Sequence, residues 1–318
     1  MTLQEVEVKI KELDEQIETM TSDPETGDKK SKKILSELTH ARDQMLKTAY
    51  DTLSAYDRVY IARKPSRPNT REYIANIFED FFEQRGDRLG KDDGAIIGGI
   101  ATFAGLPVTV IGNLKGRNLE DNMKCNFGMA NPEGYRKALR IMKQAEKFDR
   151  PIITFIDTSG AYPGKEAEEH GQGEAIARNL MEMSSLTVPV VAFVIGEGGS
   201  GGALALSVAN KIFMLENAVY SILSPEGFAS ILWKDGSRVK EASECMKITA
   251  QDLLDFGVID GIVKEPKDDL SKNPEFVYAQ IRLILAEELG HLMKLNGKAL
   301  MEQRYRKFRV FGDCNYEK

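Results

Sequence analysis

Only three cysteines occur in 318 residues, Cys125, Cys245 and Cys314. They stand too far apart for a zinc knuckle, and an odd number argues against a disulfide framework, so a reducing compartment fits best. There is no basic excess to mark a nucleic-acid binder, since the formal net charge is −6. No apolar stretch approaches the ~20 residues that a membrane span needs. The N-terminus is acidic from Glu5 and shows no apolar core of a secretory signal. Together these absences predict a cytoplasmic protein with no membrane or nucleic-acid partner and no metal of its own. With 42% hydrophobic and 29% charged residues, the chain can bury one large core or two modest ones.

The most informative stretch runs from Val188 to Ala209. An apolar, β-branched run ends in five glycines within seven residues, at 196, 198, 199, 201 and 202, and Ala-Leu-Ala-Leu follows. Lacking polar alternation, the run reads as a strand buried on both faces. The glycines let backbone amides approach a ligand with no Cβ in the way. The helix that follows would aim its first N–H groups at that ligand, favouring a phosphate or a transient oxyanion.

Four chemistries compete for this loop. Gly196-Glu-Gly-Gly-Ser-Gly matches the dinucleotide fingerprint, with Glu216 about twenty residues on, but only about eight residues precede the next strand, few for a crossover helix. A P-loop would need a lysine after the glycines, and none occurs before Lys211. Gly198-Gly-Ser-Gly-Gly satisfies the serine-elbow pattern, yet only His291 follows Ser200, while Asp157 and His170 precede it. An oxyanion hole built from the amides of Gly201 and Gly202 needs no side-chain partner. A second loop, Asp157-Thr-Ser-Gly-Ala-Tyr-Pro-Gly, ends the neighbouring apolar strand. In a parallel sheet, loops at strand C-termini gather at one edge, so the two loops could face one cavity.

Around this centre the chain divides into a helical hairpin over 1–62, a linker over 63–72, a core over 73–270 and a helical tail over 271–318. Leu3, Val6, Ile10, Leu13, Ile17 and Met20 form a heptad stripe, and Pro24 and Gly27 turn the chain. A second helix carries Ile34, Leu35, Leu38, Ala41, Met45 and Ala49. Arg63 to Arg71 reads as a solvated, proline-broken connector. Tyr73, Ile74, Ile77, Phe78, Phe81 and Phe82 predict one amphipathic helix. Ala95–Phe103 and Val108–Ile111 predict a hairpin across Ala-Gly-Leu-Pro. Glu166 to Met183 reads as one helix, and the tail from Pro274 as one long helix ending in a basic stretch, Arg304 to Arg309. Strands alternating with helices predict an α/β layered core.

Read together, these segments are similar to one family. Asn126-Phe-Gly-Met, Pro132-Glu-Gly-Tyr-Arg-Lys-Ala-Leu-Arg, Pro151-Ile-Ile-Thr-Phe-Ile-Asp-Thr, Gly160-Ala-Tyr-Pro-Gly, Gly173-Glu-Ala-Ile-Ala-Arg-Asn-Leu, Val194-Ile-Gly-Glu-Gly-Gly-Ser-Gly-Gly-Ala-Leu-Ala and Ser224-Pro-Glu-Gly-Phe-Ala-Ser-Ile-Leu-Trp-Lys occur in that order. The chain resembles the α subunits of the bacterial-type acetyl-CoA carboxylase carboxyltransferase over nearly its whole length. One departure is Ser159, where the family often has proline.

The resemblance implies a crotonase-like spiral of ββα units. It implies transfer of a carboxyl group from carboxybiotin, held on a biotin carboxyl carrier protein, to acetyl-CoA, giving malonyl-CoA for fatty acid synthesis. A β subunit would supply the CoA-side oxyanion hole and a zinc ribbon within an α2β2 assembly, and biotin carboxylase would join the full complex. On this chain the Gly201 and Gly202 amides would stabilise charge on the biotin ureido oxygen. Gly160, Ala161, Tyr162, Pro163, Gly198 and Gly199 would shape the pocket around the ring. Two alternatives stay open. A stand-alone crotonase-like hydratase or thioesterase would need Glu197 as its carboxylate, and a scaffold subunit would keep the glycine loops only as remnants.

Overall fold

The computed structural model describes residues 1–22 and 29–312. The turn expected at Pro24 and Gly27, and Cys314, lie outside the described residues. Two helices, α1 (Leu3–Ser22) and α2 (Lys29–Asp51), lie side by side, tied by an Arg42–Asp14 ion pair at 3.1 Å. Next come α3 (Ala55–Ala62) and α4 (Thr70–Ile77), then β1 (Glu79–Glu83), β2 (Ile96–Phe103) and β3 (Leu106–Asn113). A short α5 (Leu119–Lys124) leads to α6 (Pro132–Lys147) and β4 (Ile152–Thr158). After α7 (Lys165–Glu169) and α8 (Gln172–Ser185) the chain enters β5 (Val190–Gly199), α9 (Ser200–Ser207), β6 (Lys211–Leu215) and β7 (Val219–Ser221). It closes with α10 (Pro225–Trp233), α11 (Val239–Cys245), α12 (Ala250–Asp255), β8 (Gly261–Val263), α13 (Glu275–Leu292) and α14 (Gly297–Arg309).

Among the described residues the strands form one eight-stranded sheet, ordered β1-β2-β3-β4-β5-β6-β8, with β7 paired to the far end of β5. The first three strands are antiparallel, and from β3 onward neighbours run parallel. Ala104 and Gly105, at φ 48° and 78°, make the two-residue turn between β2 and β3, a geometry that suits the right-handed twist of a hairpin. Every residue of β4 is buried, and every residue of β5 except the half-buried Glu197, as expected of parallel strands covered on both faces. Phe155, Phe193 and Phe213 stand on matched positions of β4, β5 and β6. With Tyr73 of α4 they stack in a row, at centroid spacings of 5.4, 5.7 and 5.5 Å.

Several local expectations are corrected, some by long-range contacts and some by local breaks. The amphipathic segment 73–82 is not one helix: α4 starts at its Asn69–Glu72 capping box and stops at Phe78, which is extended. Residues Glu79–Glu83 instead add an edge strand to β2, and the phenylalanines suit a strand as well as a helix. The segment 166–183 is split at Gly171, whose φ of 83° breaks the helix. The tail is two helices, because Asn296 caps a fresh start at α14. The basic linker is solvated only in part, at Arg63, Pro65, Ser66 and Arg71. Arg67 is buried, donating to the Ile195 carbonyl and to both oxygens of Glu265, where a buried charge requires such pairing.

Candidate functional site

Both glycine loops end up at the same edge of the sheet and touch. β5 runs on through Gly198 and Gly199, which pair with Tyr220 and Ser221 of β7, so these two glycines belong to a strand rather than a free loop. A methyl on Gly199 would stand 2.2 Å from the Ser159 carbonyl oxygen. Ser200 turns the chain with φ 52°, an uncommon conformation for a non-glycine residue, and α9 begins. Its N-cap, Gly199, makes no side-chain capping bond to the first-turn N–H groups. Gly201 is half-buried and Gly202 buried. A methyl on Gly202 would lie 2.7 Å from the Ala161 nitrogen and 2.9 Å from the Tyr135 hydroxyl, so no other residue fits without displacing the second loop.

That second loop is held on both sides. Thr158 Oγ1 donates to the Gly160 carbonyl at 2.7 Å and accepts from the Gly160 N–H at 3.1 Å. The Tyr162 N–H donates to the Ala130 carbonyl at 3.0 Å, and Gln172 Nε2 bridges the carbonyls of Ala130 and Tyr162, each at 2.9 Å. Gly160 is buried at φ 149°, Ala161 and Tyr162 are half-buried, and Pro163 is exposed. The structure thus brings Gly160 and Ala161 against Gly199 and Gly202, while the half-buried Tyr162 ring lies against Gly164 and Pro163 is exposed.

Four charged groups complete the site edge. Asp157, at the end of β4, accepts Lys115 Nζ at 2.7 Å. Glu197 accepts Lys115 Nζ at 3.2 Å on one oxygen and Arg63 Nε at 2.7 Å on the other. Burial works to raise the Glu197 carboxyl, but the Lys115 and Arg63 charges outweigh it and hold the group below its ordinary value. Glu197 is thus tied to two cations, a setting that favours its carboxylate form. A cavity of about 370 Å³ opens here, walled by Arg63, Lys115, Phe127, Asp157, Ser159 and Glu197. A second, apolar hollow of about 430 Å³ lies beside Ser200 and Gly201, between Leu204, Ile222, Phe308 and Phe311.

The sequence shows Asp157 and Glu197 beside the glycines but carries no sign of their pairing with Lys115 and Arg63, or of Tyr135 behind Gly202. The basic segment Arg63–Arg71 and Lys115-Gly-Arg were visible, but their acidic partners lie far along the chain. The rival chemistries of the glycine loop find little support. The helix after it has only eight residues, short for a dinucleotide crossover, and Glu216 is tied to Lys264 and to the Glu265 N–H. His170, a histidine in need of a role, bonds Glu133 at 2.8 Å instead of Ser200. Among the described residues no group of His, Cys, Asp or Glu is placed to hold a metal ion.

Known proteins are similar to this chain in sequence and in fold. The α subunit of acetyl-coenzyme A carboxylase carboxyl transferase from Geobacillus thermodenitrificans is 54% identical over 314 residues, covering 99% of this chain and 94% of that protein. The same subunit from Bacillus velezensis is 58% identical over 268 residues, covering 84% of this chain and 82% of that protein. Among solved structures, the transcarboxylase 12S hexamer core with methylmalonyl-coenzyme A bound superposes with a TM-score of 0.60 at 19% identity, covering 73% of this chain and 42% of that chain. A Pseudomonas malonate decarboxylase hetero-tetramer in complex with coenzyme A gives 0.56 at 15% identity, covering 69% of this chain and 90% of that one. At such identities the structures speak for the fold alone, and they bear out the crotonase-like α/β architecture. The sequence pattern of the acetyl co-enzyme A carboxylase carboxyltransferase-like family spans residues 3–312, and the chain belongs to that family.

Proposed function

We propose that the chain is the biotin-side half of a carboxyltransferase that makes malonyl-CoA from acetyl-CoA. The observation that carries this reading is the uncapped first turn of α9, pressed by Gly202 onto Gly160 and Ala161 in a chain of this family. Biotin, held on a carrier protein, supplies the carboxyl group and a ring nitrogen able to take the acetyl proton once CO2 has left. The amides of Gly201 and Gly202 then hold the negative charge that develops on the ureido oxygen, and losing one such donor costs roughly 3–4 kcal/mol. Gly160, Ala161, Tyr162 and Pro163, with Gly198 and Gly199 behind them, form the wall around the ring. No side-chain base is asked of this chain, in keeping with an ionised Glu197 tied to two cations.

This chain encloses the reacting atoms on one side only. A β subunit in an α2β2 assembly covers the other side and brings its own oxyanion hole, while a biotin carboxyl carrier protein and biotin carboxylase load the carboxyl group. No described helix is long and apolar enough to cross a membrane, and we place the assembly in the cytoplasm. The test is malonyl-CoA decarboxylation dependent on added biocytin, with and without a β subunit. Activity is expected only when both chains are present, and a silent pair with a competent β subunit would overturn the reading.

A further inference from the structure

One half-buried charge cluster touches both strands of the site and is given no step in the chemistry above. The ladder between β4 and β5 is irregular there: Ile156 pairs with Val194 but Thr158 with Gly198, so β5 carries two extra residues opposite Asp157. Backbone pairing alone leaves such a bulge loosely specified. Asp157 fills the gap with its side chain. Its Oδ1 accepts the Glu197 backbone N–H at 3.0 Å and Lys115 Nζ at 2.7 Å. Lys115 Nζ in turn reaches Glu197 Oε2 at 3.2 Å. One ammonium group therefore bridges the end of β4 to Glu197 in the bulge of β5, four and five residues before Gly201 and Gly202.

Lys115 is itself held in place. Asn126, Phe127 and Gly128 are three consecutive residues at positive φ, 44°, 54° and 79°. A turn with two non-glycine residues in that region persists only where its surroundings demand it. It lays Gly128 over the lysine: a methyl there would stand 2.9 Å from Lys115 Cγ and 3.0 Å from the Asp157 carbonyl oxygen. Burial opposes the lysine's charge, yet Asp157 and Glu197 hold its pKa above the ordinary value, so it stays a cation.

We propose that Lys115 is a positioning residue for carboxyl transfer, locking the β5 bulge through Asp157 and Glu197 so that the Gly201 and Gly202 amides keep their place. The proposal rests on the functional reading above. It assigns Lys115 no contact with the substrate and no proton transfer. A misplacement of about 1 Å at a reacting centre can cost on the order of a hundredfold in rate, so loss of the bridge should be read in turnover.

The experiment uses the full chain assembled with a β subunit and compares wild type, Lys115→Met, Lys115→Arg and Glu197→Gln. For assembled enzyme, isolated by size exclusion, kcat and KM for malonyl-CoA are measured in the biocytin-dependent decarboxylation, alongside the thermal midpoint. Lys115→Met is expected to lower kcat about tenfold or more with KM for malonyl-CoA within about twofold. Lys115→Arg, which keeps the charge, is expected to recover most of that loss. Wild-type kcat in assembled Lys115→Met overturns the proposal, as does an equal loss in Lys115→Arg that tracks a lowered thermal midpoint. If Lys115→Met does not assemble, Glu197→Gln carries the test, since it keeps the shape and removes one anion: a fall in kcat of about threefold or more supports the bridge, and an unchanged kcat overturns it. A wild-type pair with no biocytin-dependent activity instead sinks the functional reading, and the proposal with it.

Discussion

The strands β4 and β5 and the hairpin α1–α2 both carry apolar patterns, to opposite effect. In β4 all seven residues are buried, and in β5 all but Glu197. In α1 only Leu3 and Val6 are buried, and α2 buries none of its described side chains. A strand inside a parallel sheet is covered by neighbours on two edges and helices on two faces. A helix in a two-membered hairpin has one neighbour, so its stripe of Ile10, Leu13, Ile17 and Met20 remains half-buried. An apolar pattern shows that a surface seeks cover; the number of available partners decides how much cover it finds. The difference also assigns roles. The amides proposed to hold a developing charge follow a fully covered strand, and the arm sits where cover is partial.

Substitutions can sharpen this contrast. The largest effect is expected from Phe193→Ala, which removes the middle ring of the row across β4, β5 and β6; denaturant titration should show a loss of about 3–5 kcal/mol. Gly202→Val comes next, driving a side chain into Ala161 and Tyr135. In the assembled enzyme, biocytin-dependent decarboxylation should fall by about 10²–10³, the size of effect seen when one oxyanion donor is lost. At the root of the hairpin, Asp57 accepts the Leu3 N–H at 2.7 Å and closes the capping box of α3 with Ser54. Asp57→Ala should cost about 1–2 kcal/mol and loosen α1, read as faster proteolysis there with kcat little changed. Leu13→Ala, on the half-covered seam, should cost less than about 1.5 kcal/mol, well under the value for a core leucine. A fully core-like loss at Leu13, or a trivial one at Phe193, would break the comparison.

The smallest effect should appear in acid. Burial acts to raise Asp269, but hydrogen bonds from Ser271 and the charge of Lys64 prevail and bring it down to about 2. Its unfolded value is near 3.9, so its contribution to stability is complete above about pH 4 and disappears as pH falls through 2. Lys64 also binds Glu7 of α1, so this cluster ties the arm to the body. Asp269→Asn should therefore flatten part of the acid-unfolding curve between about pH 4 and 2 without altering stability differences at lower pH.

Much of the site could be read locally. Glycine density at 196–202 announces close backbone approach, and Gly199 and Gly202 meet the second loop at distances no side chain could tolerate. The β-branched runs mark buried strands, because only residues covered on both faces can forgo polar alternation. Two of the misread segments had a long-range partner, whereas the breaks at Gly171 and Asn296 were local. Phe81 and Phe82 fit a helical stripe, but the open edge of β2 offered backbone hydrogen bonds and took Glu79–Glu83 as a strand. Arg67 looked like part of a solvated connector until Glu265, almost two hundred residues away, supplied its counter-charge.

The division follows from the range of the forces. Backbone conformation, caps and burial preference depend on neighbours within a turn or a strand, so composition and spacing were enough to decide the strand-and-helix alternation, the glycine loops and the helical arm. The bridge of Lys115, Asp157 and Glu197, the Arg63 contact and the place of Tyr135 behind Gly202 join groups from separate segments. Which charge meets which was decided only when the sheet order set the ends of β4 and β5 side by side, since an ion pair depends on distance in space and leaves no trace in spacing along the chain.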